Sequence, residues 1–258
     1  SAYWIPAMLD GVGNAVKPDF MLTYYKALPA SHEACGFPSA TKVGICVPLP
    51  NGLRFIFGFD MKTGKNGPTD TTSWDQYGFA FECTDRYSNP LQSRRYSTMA
   101  EVVAAGCPVE NGYLRFAASI PQCWDGKNLD SADHRSHMAW PDGPGVDSAG
   151  KRACPPSHPY IIPELASQFF YKIDANFAAG KWRLASDEMY PNMPRGATAH
   201  MDYWEAWSPT IKAIWQANCI DRRLSCNNGN LGNGQQIAKM QTPPEGWPVG
   251  VKVALSSI

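Results

Sequence analysis

The sequence predicts a mainly β fold, an antiparallel β-sandwich of jelly-roll character with a few helices and disulfide staples. Twenty-two glycines and twenty-two prolines interrupt the 258 residues at short intervals, which favours short strands over long helices. Apolar, β-branched and aromatic segments of strand length lie between those breaks. Eight cysteines, an even number without Cys-x-x-Cys pairs, read as disulfides rather than as a zinc ribbon or redox motif. A parallel α/β sheet would need regular crossover helices, and the connecting segments are too rich in proline to supply them.

Taken in chain order, residues 20–25 form the first strand candidate. Residues 43–50 and 53–59 flank Asn51-Gly52, the dipeptide that tolerates the positive φ angles of a type I′ turn, and so predict a hairpin. Further strands are expected at 77–83, 113–120, 136–140, 168–173 and 181–185. Thr98 and Glu101 have capping-box spacing and Gly106 supplies a stop, predicting a helix over 99–105. A second helix is expected over 209–219, with Ser208 as N-cap, Pro209 at the first helical position and an apolar stripe of Ile211, Ile214 and Trp215. A Gly/Asn-rich passage at 227–234 and a Pro-containing tail at 243–248 read as ordered loop and terminal strand. Without an internal repeat or a linker-like composition shift, residues 1–258 read as one domain, with the segment from about 222 packed on it.

Eight cysteines allow 105 full pairings, among which the nearest-neighbour set, Cys35–Cys46, Cys83–Cys107, Cys123–Cys154 and Cys219–Cys226, is the preferred expectation. Such a set implies an oxidising compartment, hence a secreted, extracellular protein. No apolar run is long enough to span a bilayer. The abrupt apolar start at Ser1-Ala2-Tyr3-Trp4 suggests a missing leader or longer N-terminal segment. Charge balances at 23 basic against 23 acidic residues, and Arg94-Arg95 and Arg222-Arg223 are too short to make a basic stripe, so nucleic acid is not an expected partner.

Chemically capable side chains concentrate in residues 123–137, which contain Trp124, Asp125, Lys127, Asp130, Asp133, His134, Arg135 and His137. Carboxylates beside imidazoles can tune each other's pKa, which points to catalysis or binding. Asp, Asn and Ser in such a loop can equally serve only to hold its turns. In an extended segment His134 and His137 would point to opposite faces while Asp133 and His137 would share one, which selects His137; on a helical turn the reverse would hold. A second cluster has His200 and Asp202 at the period-two spacing of one strand face, accompanied by Trp204, whose indole could stack on a sugar. Trp207 reads as a core residue, and His32 and His158 as structural or surface residues.

The candidate catalytic residues are therefore Asp130, Asp133, His137, His200 and Asp202. Candidate substrate-binding residues are Trp124, Lys127, His134 and Trp204. His137 and His200 with a nearby carboxylate could also hold a divalent metal, although their spacing matches no standard metal motif. No Gly-x-Ser-x-Gly elbow is present to support serine nucleophile chemistry.

The run from Pro121-Gln122-Cys123-Trp124-Asp125-Gly126 to His134-Arg135-Ser136-His137-Met138-Ala139, with Cys154-Pro155, His158-Pro159, Ser186-Asp187 and His200-Met201-Asp202, resembles a secreted bacterial and fungal family of unknown function, DUF1996. The likeness runs from Ser1 to the helix ending at Cys219. Members are often joined to carbohydrate-binding or cell-wall-associated modules, which implies a polysaccharide or cell-wall glycan as partner. In the family pattern a Gly/His-rich segment precedes Ser-Ala-Tyr-Trp; here the sequence opens on that element. The expected function is a secreted carbohydrate-active protein, a polysaccharide hydrolase using Asp and His residues. The alternatives are a non-catalytic extracellular protein that binds metal or glycan or serves a structural role, and an oxidative metalloenzyme.

Overall fold

The computed structural model describes residues 1–67, 78–142, 152–237 and 248–257. Its strands, numbered in chain order, form four sheets. The first holds β1 (Ala2–Trp4), β14 (His200–Trp204) and β6 (Arg54–Gly58) in that order, all antiparallel. The second, also antiparallel throughout, runs β4 (Phe20–Lys26), β12 (Glu164–Lys172), β8 (Tyr113–Ser119), β7 (Gly78–Thr84). The third runs β13 (Arg183–Leu184), β2 (Met8–Leu9), β3 (Asn14–Val16), β15 (Lys252–Ala254). The fourth runs β10 (Met138–Ala139), β9 (Cys123–Trp124), β11 (Tyr160–Ile161), β5 (Ile45–Cys46), and its β11–β5 pair is parallel. The fold is thus mostly antiparallel β, as the punctuation of the sequence predicts.

Period-two alternation explains how the first two sheets pack. Phe55 and Phe57 of β6, Met201 and Tyr203 of β14, and Phe79, Phe81, Phe116 and Phe169 of the second sheet all enter one buried core. Phe57 stacks on Phe79 at a centroid distance of 5.1 Å and Phe81 on Phe116 at 4.7 Å. The opposite faces of these two sheets differ. That of the second sheet carries a buried ion pair, Glu82 with Arg115, and Arg95 adds a second bond to Glu82 at 2.5 Å. The outward face of the first sheet is left to solvent.

All four expected disulfides form: Cys35–Cys46, Cys83–Cys107, Cys123–Cys154 and Cys219–Cys226. Helix α1 (Met99–Ala104) has the full Thr98–Glu101 capping box. A one-turn helix α2 (Ala175–Ala178), capped by Asp174 Oδ1 on the Phe177 N–H, is too short to leave a periodic signal. Helix α3 (Pro209–Trp215) starts at Pro209 as expected, but Ser208 makes no side-chain cap, and residues Gln216–Ile220 continue as a π-helical turn into the Cys219 disulfide.

The hairpin at Asn51-Gly52 is a correction. The chain does turn there, yet only Gly52 takes a positive φ, +74°, and the flanking segments separate into different sheets. Pro48 and Pro50 have no N–H to give a ladder, so the segment before the turn cannot pair along its length. Instead β5 joins β11 and β6 joins β14, while Gly52 donates its N–H to Glu205 at 2.7 Å. The expected strands at 136–140 and 181–185 shrink to two-residue β10 and β13. Tyr77 and residues 243–247, where the tail strand is expected, lie outside the described residues; beyond them β15 forms at Lys252–Ala254, where Lys252 joins Asp10 at 2.9 Å and Asp174 at 2.5 Å.

Candidate functional site

The loop between β9 and β10 is a series of carboxylate-held turns. Asp125 accepts the N–H groups of Lys127 and Asn128 at 2.8 and 2.9 Å and the Asn128 amide at 2.6 Å. Gly126 follows at φ +78°, where a Cβ would lie 2.2 Å from the Tyr160 ring. Asp133 Oδ1 accepts the N–H groups of Arg135 and Ser136 at 3.0 and 2.9 Å and the Ser136 hydroxyl at 2.9 Å. Hydrogen bonds from Ser136 and Arg135 hold its carboxyl well below the ordinary carboxylate range. Both aspartates are therefore committed to shaping the loop.

The loop docks on the free edge of β6. Arg54 gives its N–H to the Leu129 carbonyl at 2.9 Å and Ile56 to the His134 carbonyl at 2.7 Å. His137, 1% exposed, is the pin beneath: its Nε2 lies 2.8 Å from the Arg54 carbonyl and its Nδ1 2.7 Å from Ser131 Oγ. A carbonyl only accepts, so Nε2 carries a proton. Burial pushes the imidazole's pKa below its ordinary value, so at neutral pH Nδ1 is bare and shares the single Ser131 hydroxyl proton with Asp133 Oδ1, which also lies 2.7 Å from Ser131 Oγ. His158 braces the same loop from outside, with Nε2 donating to the Ser136 carbonyl at 3.0 Å.

The loop's turns, rather than an extended run, decide which histidine faces out. His134 sits at φ +56° with its side chain on the surface, whereas His137 points inward, which corrects the choice of His137 for an open site. With both ring nitrogens of His137 engaged, it does not pair with His200 as a metal ligand. His200 lies on β14 and directs Nδ1 at the Thr198 carbonyl, 2.9 Å away. Among the described residues no group of three or more His, Cys, Asp or Glu side chains is arranged to hold a metal ion.

What comes together is the outward face of the first sheet. The register sets Trp204 opposite Arg54, Asp202 between Trp4 and Ile56, and His200 opposite Gly58. His200 and Asp202 do share this face, as their spacing predicts. Gly58, at φ +90°, has no room for a side chain: a Cβ would lie 2.2 Å from Phe79. Trp4 and Trp204 stand edge to face at 6.4 Å and are 59% and 45% exposed. The Arg54 guanidinium lies 5.3 Å from the Trp204 ring centroid and 3.8 Å from Asp130. Asp130 in turn accepts His134 Nδ1 at 2.6 Å; against the opposing effect of partial burial, this bond and the Ser131 N–H hold its carboxyl below the ordinary range.

Arg135 ties the two sequence clusters together. Its guanidinium donates to the Gly58 and Phe59 carbonyls at 3.2 and 3.1 Å, and burial lowers its pKa against the supporting charges of Asp60, Asp133 and Asp202. Trp124 lies elsewhere, half-buried, with its indole N–H on the Asn128 carbonyl at 2.7 Å and its ring against Tyr160. Lys127 is exposed and contributes its backbone N–H to the Asp125 turn. Trp207 packs at the core margin and donates to Tyr25 at 3.1 Å, in keeping with a core role.

Arg54 lies in no motif, and Trp4 and Arg135, which lie within motifs, are not among the candidate site residues. A polar residue at an outward position of the otherwise apolar Arg54–Gly58 segment was the available signal for Arg54. The Ser186-Asp187 element is a buried brace: Asp187 accepts the Leu184 and Gly196 N–H groups at 2.9 and 2.8 Å and the Thr198 hydroxyl at 2.6 Å, just before β14 begins.

The model of the family described as a domain of unknown function, DUF1996, matches residues 1–207. The chain belongs to this family. The match includes the braced loop, β6 and all of β14, and it ends before α3. No curated protein and no solved structure matches the chain. Four disulfides are compatible with an extracellular member of the family, and no helix among the described residues is long and apolar enough to cross a membrane.

Proposed function

We propose that this DUF1996 chain is a secreted glycan-binding protein that uses the outward face of its first sheet as a sugar platform. The observation that carries this reading is the pair of exposed indoles, Trp4 and Trp204, beside the Arg54–Asp130–His134 hydrogen-bonding group. Indole faces stack on the apolar faces of pyranose rings, and flanking charged groups meet hydroxyls. A rigid sheet, rather than a mobile loop, supplies the geometry, which limits the entropy lost on binding. Four disulfides support secretion into an oxidising compartment.

Asp130 and Asp133 do not suit the acid of a glycosidase, which keeps its proton near neutral pH, since their hydrogen-bond donors hold both carboxyls below the ordinary range. The test is retention of the protein on a panel of cellulose, chitin, β-1,3-glucan, xylan, mannan and peptidoglycan, with Trp4→Ala/Trp204→Ala in parallel. At least one polymer should retain the wild type, and the double variant should bind it about tenfold or more weakly. Retention on none of them, or equal retention of the double variant, refutes the reading.

A further inference from the structure

An open groove of about 470 Å³ has walls that come from two parts of the chain. Asn51 and Trp124 stand on one side, within the residues that match the family. The other side is α3, which follows the matched residues and contributes Lys212, Ala213 and Trp215, with Gln216 just beyond it. Both walls are fixed before any ligand arrives. Lys212 Nζ bonds the Leu49 carbonyl at 2.9 Å and lies 3.1 Å from Glu205, and Trp215 packs edge-on against Tyr25 at 5.4 Å. Trp124 is held by Asn128 and Tyr160.

The chemistry of the lining selects its occupant. Its cation is neutralised by Glu205, so a charged ligand finds no unpaired partner there. What remains is two indoles, the apolar side chains of Pro48, Leu49, Pro50 and Pro209, and the neutral amides of Asn51 and Gln216, and Gln216 spends only its N–H on Asp221. That combination suits an uncharged, polyhydroxylated ligand with apolar ring faces, and the volume falls in the range of small-ligand sites. The groove also adjoins the platform. Asn51 stands three positions before Arg54, a separation of at most roughly 10 Å along the chain, on the turn that leads into β6.

We propose that this groove is a second sugar subsite, and that the ligand is a linear oligosaccharide long enough to occupy the groove and the Trp4–Trp204 face together. α3 would then set the length of chain recognised. The proposal rests on the glycan reading above.

The test titrates cello-, laminari-, chito-, xylo- and manno-oligosaccharides of graded length against the full chain by calorimetry. Trp4→Ala/Trp204→Ala, Trp215→Ala and Ala213→Glu are run in parallel. Ala213 is exposed on α3 and glutamate is a good helix former, so that variant blocks the groove even where Trp215→Ala fails to fold. In the wild type, affinity should rise with length, and Ala213→Glu should cancel that gain, about tenfold, while leaving short oligomers bound. Wild-type affinity of Ala213→Glu for long oligomers overturns the groove and spares the platform. Loss in Ala213→Glu with no loss in Trp4→Ala/Trp204→Ala overturns the platform and leaves the groove as a separate sugar site. Absence of binding by every sugar overturns both, and a proline-rich peptide bound in the groove instead would reassign it.

Discussion

Replacing His137 with alanine should destabilise the protein strongly at neutral pH and less so in mild acid. The imidazole makes two hydrogen bonds, to the Arg54 carbonyl and with Ser131, each worth about 1 kcal/mol net. Truncation also leaves a cavity under the loop, so the total cost at pH 7.5 should be about 3 kcal/mol. The pH dependence follows from burial, which lowers the folded-state pKa below the ordinary value of 6.5. Above that value both the folded and unfolded states are neutral, and the full stability is present. As the pH falls below it the unfolded chain takes up a proton that the folded chain resists, and stability is lost. Between pH 7.5 and 5.5 this loss amounts to at most about 1.4 kcal/mol for one group. The gap between wild type and His137→Ala should therefore narrow by up to that amount. Urea denaturation of both proteins at the two pH values measures it. A cost below about 1 kcal/mol at pH 7.5, or a gap that stays constant or widens at pH 5.5, would refute the assignment of His137 as a buried neutral pin.

Three further outcomes can be measured in the same way. Arg115→Met should cost about 1–3 kcal/mol, because the buried Glu82 carboxylate loses one of its two guanidinium partners and keeps Arg95, and Glu82→Leu should cost more, since it strips both arginines of their shared partner; the reverse order in urea denaturation would count against the shared pair. Removing Cys123–Cys154, which closes a sequence separation of 31, should cost about 3.7 kcal/mol on loop-closure entropy, against about 2.4 kcal/mol for Cys219–Cys226 with its separation of 7; the reverse order of melting temperatures would count against that account. Gly58→Ala should destabilise by more than about 3 kcal/mol, since the new methyl meets both Phe79 and the Ala199 carbonyl at φ +90°; a soluble variant with wild-type melting would contradict the packing.

Local rules made part of the architecture readable. Strands such as Phe20–Lys26 and Tyr113–Ser119 follow from β-branched and aromatic runs between turn residues, and α1 from its capping box. His200 and Asp202 share a face because the strand period is two. Asn51-Gly52 announced a turn correctly and a hairpin wrongly: a dipeptide fixes only its own backbone, while the partner of β6 was chosen by the distant β14. The outward face of the first sheet was half legible. Trp204, Asp130, His134 and Asp202 stand out by residue type, but Trp4 and Arg54 reach them only through sheet register, across large sequence separations.

By itself, the sequence determined the β class, the oxidised state of its eight cysteines and the family signature in residues 123–137, because each rests on composition, local propensity or motif; which cysteine joins which was decided by the fold, since eight cysteines allow 105 pairings. Only the tertiary structure decided that His134 faces out while His137 is buried, because that depends on turns closed by Asp125 and Asp133 and on docking against β6. It also decided that the two clusters meet through Arg54 and Arg135, since strand pairing across the sheet, which no local pattern encodes, brings them to one surface.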